Sequence, residues 1–156
     1  ISADKADEAW DGVGRPANLT DTMGVLILFR YDAETIATMF IDTGDWDQPS
    51  YKSWGLALRG DNTSSWEGWY GKTYIGKQFI GKEILRPGAW FYLLIKINDG
   101  DHKILTEMWE KDQPDNKMTD AKNVQSSWAG VTWKFVLQVN NGSVEVDEYQ
   151  ELKFKE

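Results

Sequence analysis

The run Trp90-Phe-Tyr-Leu-Leu-Ile-Lys-Ile-Asn-Asp-Gly-Asp-His-Lys-Ile-Leu-Thr-Glu-Met-Trp109 decides the fold class. In its first half Phe91, Leu93, Ile95 and Ile97 share one parity, while Tyr92 and Lys96 share the other. That period-two pattern belongs to a strand with one buried face. Asn98-Asp99-Gly100-Asp101 follows, and Asp-Gly pairs accept the positive φ that tight hairpin turns require. A second strand is predicted over Lys103–Glu110.

The same grammar extends outward. Strands are predicted at Met23–Arg30, Thr35–Asp42, Trp54–Arg59, Trp69–Ile75, Lys77–Ile80, Trp90–Ile97, Lys103–Glu110, Thr132–Val139 and Ser143–Phe154. Turn signals separate them at Tyr31–Glu34, Gly60–Asn62, Arg86–Gly88 and Asn140–Gly142, the last read as a hairpin. Trp133, Phe135, Leu137 and Val139 face one way, and in the final strand Glu148 interrupts the apolar row, which predicts a bulge. Before residue 22 only Ala3–Trp10 reads as helix; the stretch 1–22 is otherwise irregular. About nine short, half-buried strands predict an all-β, two-sheet antiparallel sandwich of jelly-roll topology, one domain over 1–156. Starting at Ile1, the chain reads as a mature form or as a domain excised from a larger protein.

Composition narrows the function. The absence of Cys excludes a disulfide scaffold, thiol catalysis and Cys-based metal sites. His102 is the one histidine, so multi-histidine metal centres are excluded and any Ser-His-Asp triad would depend on it alone. A net charge of −8 argues against nucleic acid, whose phosphates need clustered cations. No apolar run approaches a membrane span. What stands out is nine tryptophans.

The second half resembles concanavalin A-like jelly rolls, the laminin-G-like group that includes many carbohydrate-binding sandwich domains. The likeness rests on Trp90–Trp109, on Phe135–Val139 followed by Asn141-Gly142 and Val144–Tyr149, and on Gly24–Asp32. It implies the sandwich fold and a glycan- or protein-binding role; fold alone does not fix function. It also implies a structural calcium held by Asp147 on the closing strand, with Asp4, Asp7 or Asp11 as partners, although no other cofactor is required. Glycosidases of this fold class carry a Glu-x-Asp-x-Glu strand. Glu145-Val-Asp147 matches its first two members, but Glu148 and Glu151 fall at the wrong spacing, so catalysis is not expected.

The densest chemistry lies between residues 45 and 70. Trp46, Tyr51, Trp54, Trp66, Trp69 and Tyr70 are interleaved there with Asp45, Asp47, Arg59, Asp61, Asn62 and Glu67. Flat rings cover the C–H faces of sugars, while carboxylates, amides and guanidinium bond their hydroxyls. Trp46 and Trp66, in segments read as loops, are expected exposed; Trp54 and Trp69, on predicted strands, could face core or solvent. Trp90, Trp109 and Trp133 are expected in the core. The reading is a non-catalytic carbohydrate-binding module, monomeric within a secreted or cell-surface multidomain protein. The competing reading is a protein-binding or structural sandwich using the same aromatics as interface anchors.

Overall fold

Alternating burial organises eleven strands in chain order: β1 (Arg15–Leu19), β2 (Met23–Tyr31), β3 (Ile36–Asp42), β4 (Lys52–Arg59), β5 (Ser65–Tyr70), β6 (Thr73–Phe79), β7 (Phe91–Asn98), β8 (Lys103–Glu110), β9 (Lys117–Asn123), β10 (Trp133–Asn141) and β11 (Val144–Lys153). This computed structural model describes residues 15–19, 22–44, 47–59, 63–80, 85–98, 102–123 and 131–154. A six-stranded sheet has the order β1-β10-β3-β4-β5-β6, and a five-stranded sheet the order β11-β2-β7-β8-β9. Every neighbouring pair is antiparallel. None of the described residues forms a helix long and apolar enough to cross a membrane.

The two inner faces meet in one core. β7 contributes Phe91, Leu93, Ile95 and Ile97, and β2 contributes Val25, Ile27, Phe29 and Tyr31. Across the gap stand Ala37, Met39 and Ile41 of β3, Trp54, Leu56 and Leu58 of β4, Trp66 of β5, and Trp133, Phe135, Leu137 and Val139 of β10. Each such large apolar side chain contributes about 1.5–3 kcal/mol by leaving water, so the alternation read from β7 and β10 fixes which face turns inward.

The structure departs from the expected strand map in four places. Arg15–Leu19, inside the stretch expected to be helical or irregular, pairs with β10 as a strand; Ala3–Trp10 lies outside the described residues. β9 was not predicted, because Lys117-Met-Thr-Asp-Ala-Lys-Asn123 has only Met118 to pack inward and otherwise carries the polar surface of an edge strand. The expected strand Trp69–Ile75 is two strands: Tyr70 pairs with Thr73 across Gly71-Lys72, and Gly71 sits at φ 58°, as the first residue of such a two-residue loop favours. The Asn140–Gly142 turn carries the chain from one sheet to the other instead of closing a hairpin, since β10 and β11 lie in different sheets. The bulge expected near Glu148 is present: Val146 pairs with Phe29 and Glu148 with Leu28, leaving Asp147 as the extra residue.

Candidate functional site

Register on the outer face of the six-stranded sheet follows from the core parity. With Trp54, Leu56 and Leu58 inward, Ser53, Gly55, Ala57 and Arg59 face out on β4. With Trp66 inward, Ser65, Glu67 and Trp69 face out on β5. Tyr74 stands opposite Trp69 and Phe79 opposite Ser65 on β6, while Ile36 stands opposite Arg59 on β3. Among the described residues the exposed large apolar or aromatic side chains are Ile36 (46%), Trp69 (38%), Tyr74 (39%) and Phe79 (61%), all on this face. Single exposed hydrophobics are ordinary, but a grouping on one face marks a binding surface.

A hydrogen-bonded carboxylate sits among them. Glu67, only 6% exposed, accepts at Oε2 from Ser65 Oγ (2.7 Å) and Tyr74 OH (2.8 Å). At Oε1 it meets the Arg59 guanidinium at 3.4 Å. Arg59 is held by its own strand end: its N–H donates to Ser64 Oγ (2.7 Å), and Nη1 reaches the Thr63 carbonyl and Ser65 Oγ (3.4 and 3.5 Å). Desolvation, reinforced by the hydrogen bond and charge of Glu67, pushes the Tyr74 phenol up to about 12, so it stays a donor at physiological pH. The Trp69 and Tyr74 rings meet edge to face, centroids 5.2 Å apart at 73°, which fixes both.

The row through Trp69 continues across the sheet as Ser53, Asp42 and Lys134. Asp42 is 8% exposed, and burial raises its carboxyl to about 6 against the lowering effects of the Gly44 N–H (3.1 Å), the Tyr51 hydroxyl (3.4 Å) and the Lys134 charge. Between this row and the Arg59 end Gly55 and Ala57 face out, yet both are buried, Ala57 at 1%. A side chain at 55 would strike the Met39 carbonyl and the Phe40 ring, so glycine is required where Phe40 lies across the strand. What this face offers solvent is therefore the Trp69, Tyr74 and Phe79 rings and the Arg59 guanidinium, groups suited to a ligand with flat C–H faces and hydroxyls.

Of the residues anticipated for a site, Arg59, Glu67 and Trp69 are brought together here. Trp54 and Trp66 are not: they are 3% and 0% exposed, in the core. Trp66 was expected in a loop, but it lies on β5 opposite Leu56, whose side chain is fully buried. Tyr70 packs against the same core beneath the Lys52 ammonium (5.4 Å), and Tyr51 is half-buried over Asp42. Asp47 is exposed in the β3–β4 connection. Asp45, Trp46, Asp61 and Asn62 lie outside the described residues. Tyr74, Phe79, Ser65, Asp42 and Ile36 are further residues of this face; for Ser65, Tyr74 and Phe79 the signal is the parity of β5 and β6 around the Gly71 turn.

Two expected core residues lie elsewhere. Trp133 is buried (1%) as expected, but Trp90 and Trp109 are half-buried on the outside of the five-stranded sheet. Trp109 shares parity with Lys103 and Glu107, so when Ile104 and Met108 turn inward it turns out. Its ring stacks on Tyr92 (5.4 Å) and lies under Lys117 (4.8 Å), and Trp90 lies under Arg30 (4.7 Å). These rings have faces covered by neighbours.

Asp147 is exposed at the β11 bulge, and among the described residues no three His, Cys, Asp or Glu converge to hold a metal. The described residues alone therefore do not form the expected calcium site. Asp4, Asp7 and Asp11 lie outside them. Glu145 pairs with Arg30 (2.6 Å), and Glu148 accepts from Tyr92 OH (3.2 Å) and Gln150 Nε2 (2.5 Å). Glu145 and Glu148 of the glycosidase-like run are thus engaged in surface contacts on the five-stranded sheet, away from the exposed rings.

No protein-family model matches the sequence, and no curated protein matches it. Solved structures do. Toad ovary galectin in complex with N-acetylgalactose superposes with a TM-score of 0.59 at 14% identity, covering 93% of this chain and 99% of the galectin. The same galectin with thio-digalactose gives 0.60 at 13% identity, over 92% and 100%. Chicken galectin 2 gives 0.58 at 10% identity, over 90% and 97%. The chain therefore has the concanavalin A-like β-sandwich fold of these galectin structures.

Proposed function

We propose that this protein binds carbohydrate without catalysis, through the outer face of the six-stranded sheet. The observation that carries the reading is the concentration of exposed Trp69, Tyr74 and Phe79 around a carboxylate already fixed by Ser65, Tyr74 and Arg59. Sugar C–H faces would stack on the rings. Hydroxyls would exchange water for the Arg59 guanidinium, the Tyr74 oxygen and the remaining lone pairs of Glu67. Because these groups are held before binding, little rotamer entropy is lost. That the toad ovary galectin structures hold thio-digalactose and N-acetylgalactose supports sugars as the ligand class for this fold. The setting is a module of a secreted or cell-surface protein.

The test is titration of galactose-, glucose- and xylose-based oligosaccharides, followed by tryptophan fluorescence and calorimetry, with wild type and Trp69→Ala. Saturable binding lost in the variant supports the reading; silence across the panel counts against it. A parallel arm with chelator tests the structural calcium proposed at Asp147. The second reading, a protein-docking face, draws on the apolar Ile36 and Phe79. It predicts a protein partner displaced by Phe79→Ala, with no sugar response.

A further inference from the structure

We infer that the ligand is the interior of a linear oligosaccharide chain, held at two stacking positions, and not a single terminal sugar. This rests on the carbohydrate reading of the same face and adds the ligand's length and direction. Tyr74 lies opposite Trp69, and Phe79 lies opposite Ser65, on the antiparallel pair β5–β6. Four residues separate Ser65 from Trp69 along β5, a span of about 13 Å at the usual rise of a strand. One sugar ring cannot touch both aromatic positions, whereas a chain of several rings can.

Between the two positions, and on the same face, the nearly buried Glu67 lies on β5, bonded to the Ser65 hydroxyl beside it and to the Arg59 guanidinium, which reaches solvent. The order along the strand is therefore aromatic pair, polar cluster, aromatic. This is the arrangement for stacking at both ends and hydroxyl bonding in the middle. β6 is the edge strand of its sheet, so a chain lying along it can leave the face laterally without meeting another strand. Phe79, at 61% the most exposed large hydrophobic described, gains a role that a site for one sugar centred on Trp69 does not give it.

The experiment is calorimetry with ladders of β-1,4-galactan, β-1,4-glucan and β-1,4-xylan oligosaccharides, from disaccharide to hexasaccharide, against wild type, Phe79→Ala, Phe79→Tyr and Trp69→Ala. In the ladder that binds, affinity should rise about tenfold between disaccharide and tetrasaccharide and then level off. Phe79→Ala should lower tetrasaccharide affinity about tenfold more than disaccharide affinity and so flatten the ladder, Phe79→Tyr should restore the gain, and Trp69→Ala should weaken every length. Affinity that does not grow with length, or a Phe79→Ala loss equal at all lengths, overturns the two-position proposal and leaves the sugar reading standing. Silence of wild type toward every ladder overturns both.

Discussion

The Tyr74 hydroxyl donates 2.8 Å to Glu67 Oε2, joining the edge strand β6 to β5 on the outer face of the sheet. Both groups lie within the proposed sugar surface, so the bond is structural and positions the site. Removing the donor with Tyr74→Phe keeps the ring and its contact with Trp69. The expected result is a modest stability loss, about 0.5–1.5 kcal/mol for one hydrogen bond, together with weakened sugar binding. Replacing the acceptor with Glu67→Ala leaves the buried Ser65 hydroxyl and the Arg59 head without their shared partner, and should cost more, about 1–3 kcal/mol. Urea melts of both variants alongside ligand titration check the order; a larger loss in Tyr74→Phe would contradict it.

Trp66 and Trp69 should respond oppositely to truncation. Trp66 is fully buried on the inner face of β5, whereas Trp69 is 38% exposed on the outer face. Trp66→Ala opens a cavity between the sheets and should destabilise by about 3–5 kcal/mol. Trp69→Ala should leave the urea midpoint near wild type while abolishing the fluorescence change on sugar addition. Equal midpoints for the two variants would refute the parity on which the site is built.

That pair also shows what was readable in the sequence. Strand existence was legible wherever one face is strictly apolar: Phe91, Leu93, Ile95 and Ile97 of β7, and Trp133, Phe135, Leu137 and Val139 of β10, are all 0–1% exposed. The tryptophan-rich stretch was legible as a place but not as a surface. Trp66 and Trp69 are an odd number of residues apart, so one must face in and the other out, and assigning which requires the ends of β5. Those ends are hidden because Trp-Tyr-Gly-Lys-Thr-Tyr-Ile reads as one β-rich run, although Gly71 turns the chain in its middle. Resemblance placed Trp90 and Trp109 in the core, and parity with Lys103 and Glu107 turned Trp109 out. The acid Asp42 gave no signal at all, because its burial comes from tertiary packing on an outward-facing position.

Asp42 gives a pH prediction. Its carboxyl is raised by burial from 3.8 to about 6 in the folded chain. The folded state therefore holds the proton more tightly than the unfolded one. The favourable contribution of this proton is complete below about 3.8 and is lost as pH rises through about 6. A shift of that size corresponds to about 3 kcal/mol of destabilisation at neutral pH. Asp42→Asn keeps an acceptor for the Gly44 N–H and has no charge to bury. It should be more stable than wild type at pH 7.5, with the advantage shrinking toward pH 4. Thermal melts of both proteins across that range measure the difference directly, and an advantage that is constant with pH would remove Asp42 as the cause.

The corner where the chain twice crosses between sheets is tied by Thr35, and this yields the sharpest stability prediction. The fully buried Thr35 hydroxyl lies 2.8 Å from the Ser143 carbonyl and 2.9 Å from Asp32 Oδ1, to either of which it can donate. It accepts from the backbone N–H groups of Asp32 and Ser143, each at 3.2 Å. Asp32 also accepts from Ser143 Oγ (3.0 Å) and the Glu34 N–H (3.0 Å). Partial burial alone would raise the Asp32 carboxyl, but the bonds from Thr35, Ser143 and Glu34 outweigh it and hold the value below the usual 3.8. Its stabilising effect is therefore present above that value and lost as pH falls through the lowered one. Thr35→Val conserves shape, removes the hydroxyl and should cost about 1–3 kcal/mol, since it leaves backbone groups of both crossings without a partner. Asp32→Asn should be less stable than wild type by a constant amount at neutral and alkaline pH, with the difference closing as pH falls through the lowered value. Because the corner links β2–β3 to β10–β11, hydrogen exchange in Thr35→Val should quicken at Ser143 and Asp32 together, and exchange that changes at one crossing alone would show that the two are not coupled.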